Sequence, residues 1–93
     1  MSNSGWDVRL TASAGRELAS LSDALAEATS LLAEELSENP FPPDAEALKG
    51  HRDWYRVPFA SGWRMVYRVS RSNRRVLITR IRPRGSAYEG LEP

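Results

Sequence analysis

The spacing of apolar residues changes once along this chain of 93 residues, and that change limits the possible folds more than any other feature. Between residues 12 and 37, apolar residues recur at every third or fourth position, which is typical of an amphipathic helix. Between residues 54 and 81 they recur at every second position, which is typical of half-buried strands. The prolines of segment 40–43 separate the two parts, because proline has no amide hydrogen to give to a helix.

Capping residues divide the first part further. Residues 6–10 alternate apolar and polar side chains and predict a first strand. Thr11 or Ser13 can cap the helix that follows, and Ser22 can cap a second one, so that residues 12–37 form a helical hairpin. One bent helix is the alternative. Segment 39–52 is predicted to be an irregular connection rather than a domain boundary, because neither side is long enough to bury a core alone.

Three runs with strand periodicity follow the connection, separated by turns at Ser61-Gly62 and at residues 70–74. Pro58 predicts that its strand lies at a sheet edge or carries a bulge. The order β-α-α-β-β-β indicates an α+β fold, in which the helical hairpin packs on a small antiparallel sheet of about four strands. We expect residues 1–93 to form a single domain.

Charge is distributed unevenly along the chain. The first 48 residues contain two basic and nine acidic side chains, a net charge of −7, whereas the last 45 contain eleven and three, a net charge of +8. This asymmetry fits a polyanionic partner for the basic half, or a fold in which acidic helices neutralise a basic sheet. The sequence has no cysteine, no apolar run of about 18 residues and no signal-peptide pattern. We therefore expect a cytoplasmic protein without disulfides or a membrane partner.

The usual signatures of cofactor and metal chemistry are absent from the sequence. Without cysteine and with His51 as the one histidine, no zinc-site spacing exists, and no glycine-rich phosphate loop is present. His51 is expected to be a solvated loop residue rather than a catalytic base, because no motif surrounds it. We predict no metal and no cofactor.

Arginines at strand spacing are the main chemical signal. Arg56, Arg64 and Arg68 fall on the polar side of their strands, and Arg82 shares a strand face with Arg80. Guanidinium groups bind phosphate through paired N–H···O bonds, so this row predicts an anion-binding surface. Aromatic residues alternate with the arginines. Core packing is the favoured interpretation of Tyr55, Trp63 and Tyr67, whereas Trp54 and Tyr88 are candidates for exposed base stacking.

The sequence resembles the RelE/ParE toxin superfamily over roughly residues 6–88. The resemblance lies in a core strand at Gly62–Val69, the preceding strand at Tyr55–Val57, and Arg82-Pro83-Arg84 before Tyr88. It implies a toxin of a type II toxin–antitoxin pair, with a cognate antitoxin as partner. RelE-like members cut mRNA on the ribosome without a metal, through attack by the ribose 2′-OH, and so inhibit translation. ParE-like members share the fold but inhibit DNA gyrase, and this is the alternative.

The resemblance also implies roles for individual residues. Arg56, Arg64 and Arg84 match phosphate-binding positions, Tyr88 matches a C-terminal tyrosine, and Glu46 resembles the general base of YoeB-like nucleases. These five are the predicted catalytic residues. Arg71, Arg74 and Arg75, at a turn, receive no role. The predicted RNA-binding residues are Lys49, Trp54, Arg68 and Arg82.

Two positions depart from the RelE and YoeB patterns. Pro58 replaces a second basic residue, and no histidine precedes Tyr88, so the general acid is unassigned unless Tyr88 supplies it.

Overall fold

Two side-chain caps divide the helical part of the chain in the computed structural model, which describes residues 5–87. Thr11 Oγ1 accepts the Ala14 amide hydrogen at 3.0 Å, and helix α1 spans Ala12–Ala19. Ser22 Oγ accepts the Leu25 amide hydrogen at 3.3 Å, and helix α2 spans Asp23–Glu38. The predicted hairpin is therefore confirmed over the single bent helix. Neither helix combines the length and apolar character that crossing a membrane requires, within the described residues.

The sheet has five strands in the order β1-β5-β4-β3-β2, and the α+β fold class is confirmed. Strand β1 runs parallel to β5, whereas the other neighbouring pairs are antiparallel, so the sheet is mixed rather than wholly antiparallel. The additional strand, β2, lies inside the segment predicted to be irregular. The strands are β1 (Asp7–Leu10), β2 (Glu46–Ala47), β3 (Trp54–Phe59), β4 (Trp63–Ser70) and β5 (Arg75–Pro83).

The apolar core lies between the helices and one face of the sheet. Leu32 and Leu36 of α2 and Ala14 of α1 pack against alternate residues of β3, β4 and β5. Tyr67 is fully buried, and its hydroxyl donates to the carbonyl of Pro40 at 2.8 Å, where α2 gives way to the connection. Tyr55 and Trp63 pack against the core from its margin, which confirms the core interpretation of the three aromatic residues. We call the other face of the sheet the open face.

Two positions interrupt the regular pairing of the strands. Strand β2 pairs only with Tyr55 and Arg56, so β3 is an edge strand at Pro58, which confirms the edge interpretation. The bulge lies instead in β5, where Thr79 is the extra residue between the partners of Val66 and Tyr67. The Thr79 hydroxyl donates to the Val66 carbonyl at 3.1 Å and stabilises the bulge.

Candidate functional site

A cleft of about 300 Å³ lies at the end of the sheet where β2, β3 and β4 meet the short 3₁₀ turn Arg84–Ser86. Strand register brings its walls together, because Glu46 lies opposite Arg56 and Pro58 lies opposite Arg64. The Arg84 amide donates to the Gly62 carbonyl at 2.8 Å and holds the 3₁₀ turn beside the β3–β4 turn. The lining residues are Asp44, Glu46, Arg56, Pro58, Arg64 and Arg84.

Glu46 and Arg56 form an ion pair inside this cleft. Arg56 Nε donates to Glu46 Oε1 at 3.0 Å, and Nη2 donates to the same oxygen. The Glu46 side chain is 63% exposed, so water screens the pair, and such pairs contribute about 0–1 kcal/mol. An anion that binds the guanidinium can therefore displace the carboxylate at little cost.

Arg64 is held by the backbone of its own strand. It is half-buried, and its Nη1 donates to the carbonyl of Trp63 at 2.8 Å, which fixes one side of the guanidinium. Arg84 is exposed on the opposite wall. With Asp44 and Glu46, the three arginines leave a net charge of +1 around the opening. Preorganised guanidinium groups of this kind can bind a phosphate and stabilise additional negative charge on it.

The family model described as the ParE toxin of the type II toxin–antitoxin system parDE matches residues 8–88. The chain belongs to this family. The resemblance found in the sequence is thus confirmed. No curated protein sequence matches the chain.

Solved structures of related toxins share the fold of this ParE-family chain. A chain of the archaeal RelE–RelB complex from Pyrococcus horikoshii is 25% identical with a TM-score of 0.75, and the match covers 89% of this chain and 99% of that one. The YoeB/ParE toxin from Agrobacterium tumefaciens is 25% identical with a TM-score of 0.72, covering 83% and 96%. The isolated E. coli RelE toxin, at 23% identity and a TM-score of 0.75 over 84% and 83%, agrees in fold.

Four of the five predicted catalytic residues of this ParE-family chain are brought together. Glu46, Arg56, Arg64 and Arg84 all line the cleft, although their roles stay predictions. Tyr88 lies outside the described residues. Asp44 is an additional lining residue that the sequence analysis did not single out, and it lies two positions before the predicted base.

The predicted RNA-binding residues do not line the cleft. Arg82 Nε donates to Glu17 Oε2 of α1 at 2.7 Å, and its Nη1 donates to the Ser86 carbonyl at 3.3 Å. Arg68 and Lys49 are exposed, and Trp54 is half-buried on the open face. Arg82 is therefore engaged by an acidic partner that the sequence pattern did not indicate, because Glu17 lies 65 positions away along the chain.

His51 lies in the loop before β3 but is half-buried rather than solvated. Its ring lies edge-on to that of Trp54, with 6.4 Å between the ring centroids. It does not line the cleft, and within residues 5–87 no three His, Cys, Asp or Glu side chains converge as a metal site would require.

Proposed function

We propose that this toxin is an endoribonuclease that cleaves mRNA on the ribosome and thereby inhibits translation. The observation that supports the proposal is the cleft, which collects one candidate base, Glu46, and three candidate phosphate ligands, Arg56, Arg64 and Arg84. Three of these positions come from separate strands and one from the 3₁₀ turn, so the rigid sheet fixes their relative positions.

The proposed reaction uses only groups of the RNA and the side chains. Glu46 accepts the proton of a ribose 2′-OH, and the 2′-oxygen attacks the adjacent phosphorus. Arg56, Arg64 and Arg84 stabilise the extra negative charge on the phosphorane. The bond from phosphorus to the 5′-oxygen then breaks, the 5′-oxygen takes a proton, and a 2′,3′-cyclic phosphate and a 5′-hydroxyl remain. Tyr88 is the candidate for that proton.

The Glu46–Arg56 pair fits a resting state of this reaction. Arg56 donates two hydrogen bonds to Oε1 of Glu46, so the guanidinium occupies that oxygen of the carboxylate. In the proposed complex the scissile phosphate replaces Glu46 as the hydrogen-bond partner of Arg56, because its oxygens accept a charge-assisted pair of bonds from the guanidinium. The carboxylate is thereby released beside the 2′-OH that it deprotonates.

A cognate antitoxin is the proposed partner that restrains the toxin. The Pyrococcus horikoshii structure is a RelE–RelB complex, and a partner of the same kind suits the excess of positive charge in the second half of this chain. We propose that an acidic segment of the antitoxin folds on binding and covers the cleft arginines.

Inhibition of DNA gyrase is the second candidate function. Two observations favour it: the matching family model is that of ParE, and Pro58 lines the cleft where the RelE pattern has a basic residue. In this hypothesis the cleft arginines bind the partner and perform no chemistry.

Cleavage of mRNA in a translation extract tests the proposal. We expect the wild type to cut, and Arg64→Ala to cut at least about 100-fold more slowly, as found when one transition-state donor is removed. Arg16→Ala is the matched control, because Arg16 is an exposed arginine of α1 outside the cleft, and it should cut like the wild type. Equal cutting by Arg64→Ala, or no cutting by the wild type, overturns the proposal. Inhibition of purified gyrase without mRNA cutting supports the alternative.

A further inference from the structure

A second basic depression, which we call the arginine groove, lies at the other end of the sheet. It has a volume of about 740 Å³ and is formed by the loop before β3, the end of β4 and the β4–β5 turn. Four arginines and one carboxylate line it, a net charge of +3, and it shares no lining residue with the cleft. The charged lining residues are Arg52, Asp53, Arg68, Arg71 and Arg75. Arg71 and Arg75 have no role predicted from the sequence.

Two of the groove arginines are held by other residues, and the other two have no partner within residues 5–87. Arg71 lies over the ring of Phe41, with 4.5 Å between guanidinium carbon and ring centroid, and Arg75 Nε is 3.4 Å from Asp7 Oδ2. Neither Arg52 nor Arg68 forms a hydrogen bond or an ion pair with any residue between 5 and 87. Both are exposed, so their donors are available to a ligand.

The charge of the groove indicates a ligand with several anionic groups. Like charges on neighbouring strands and turns repel each other, and one monovalent anion cannot neutralise a net charge of +3. Guanidinium groups donate paired hydrogen bonds to the oxygens of a phosphodiester.

An aromatic ring beside the groove distinguishes nucleic acid from an acidic peptide. Trp54 lies directly opposite Arg68 in the strand register, on the open face, and is partly exposed. A nucleic acid presents bases that stack on such a ring while its phosphates bind the arginines. A run of carboxylates offers no group that stacks on the ring.

The groove and the cleft are connected along β4. Arg64 lines the cleft and Arg68 lines the groove, and both lie on the open face with Val66 between them. Four residues along a strand span about 13 Å, so a single extended polymer can contact both arginines.

We propose that the arginine groove binds the phosphodiester backbone of single-stranded RNA as a second contact beyond the cleft. The choice of RNA rests on the proposed function, and the groove holds the strand that continues out of the cleft. Arg52 and Arg68 each bind a phosphate, and Trp54 stacks on a base. The groove positions the strand and does not touch the reacting atoms.

Binding of a 2′-O-methyl RNA oligonucleotide of about 12 nucleotides tests the groove independently of cleavage, since its 2′-oxygen cannot attack. Fluorescence anisotropy is measured over a range of salt concentrations. Each lost phosphate contact reduces the slope of log K against log salt by about 0.7, so Arg52→Ala with Arg68→Ala should reduce it by about 1.4. Trp54→Leu should weaken binding about 5- to 100-fold with little change of slope.

Arg16→Ala is the control for the loss of one exposed positive charge, and its slope should equal that of the wild type. If the salt slope of the Arg52→Ala and Arg68→Ala double variant equals that of the control, the proposed RNA contact in the groove is wrong. A double variant that binds RNA normally but loses binding to polyglutamate also overturns the proposal, and assigns the surface to an acidic peptide.

The nuclease proposal and the groove proposal fail separately. If the wild type does not cut mRNA but the slope still falls, the nuclease proposal fails alone. If the wild type cuts mRNA and the double variant keeps the salt slope of the wild type, the groove proposal fails alone.

Discussion

Glu17 carries a polar contact between the helical layer and the sheet that spans 65 positions along the chain, and its removal should destabilise the fold measurably. Strand β1 pairs with β5 only as far as Ile78, so within the described part of the chain no strand lies beside this edge of β5 beyond that point. Glu17 Oε1 accepts the amide hydrogen of Ile81 at 2.8 Å, and its Oε2 accepts from Arg82 Nε at 2.7 Å. One carboxylate of α1 thus satisfies one backbone donor at the free edge of the sheet and pairs with an arginine of the same strand.

The size of the effect follows from these two contacts. A hydrogen bond to a charged acceptor contributes about 1.5–3 kcal/mol, and the partly buried ion pair with Arg82 adds up to about 1 kcal/mol. The Glu17 side chain is 22% exposed, so water replaces it only in part. We expect Glu17→Ala to lower the free energy of unfolding by about 2–3 kcal/mol. At 4–8 °C per kcal/mol for a domain of this size, Tm should fall by roughly 10–20 °C.

Urea and thermal denaturation followed by circular dichroism measure the effect. Glu27→Ala is the matched control, because Glu27 is an exposed glutamate of α2, and its change should stay within about 0.5 kcal/mol. A double-mutant cycle with Arg82→Met separates the ion pair from the bond to Ile81. A Glu17→Ala variant that is no more destabilised than Glu27→Ala would refute the stabilising role of Glu17.

Other variants test the core and the caps. Tyr67→Phe should lower the free energy of urea unfolding by about 1–2 kcal/mol, because the carbonyl of Pro40 loses its buried donor. Burial raises the pKa of Tyr67, so the folded state keeps its proton above about pH 10 while the unfolded state releases it. The stability of the wild type should then fall by up to about 1.4 kcal/mol per pH unit more than that of Tyr67→Phe. Thr11→Ala should cost about 1 kcal/mol in thermal denaturation, with exposed Ser13→Ala as the control.

Patterns that depend on neighbouring residues predicted the structure well. The caps at Thr11 and Ser22, the strand period that placed Arg56 and Arg64 on one face, and the edge position of Pro58 all follow from local geometry. A strand period or a cap is a property of a few consecutive residues, so the sequence shows it directly.

Features that depend on distant partners were not predictable in the same way. Strand β2 has two residues, too few to show an alternation, and it forms only because β3 offers it an edge. The parallel pairing of β1 with β5 depends on where the hairpin directs the chain. Arg82 lies at a strand position suited to binding an external anion, yet its guanidinium is bonded to Glu17 instead. Nothing near either residue in the sequence indicates this pair.

Arginines on the open face cover the sheet as well as carrying charge. Val66 is fully buried although it lies on that face, and its neighbours in the strand register are Arg56 and Arg80. Long basic side chains can lay their aliphatic stems over apolar surface while the charged ends reach water. Replacing Arg56 by alanine therefore removes packing together with charge, whereas Arg56→Met keeps most of the stem. Arg56→Met should unfold at higher urea than Arg56→Ala, and under the proposed function both variants should lose mRNA cleavage equally. Equal midpoints would show that the stem contributes nothing to covering Val66.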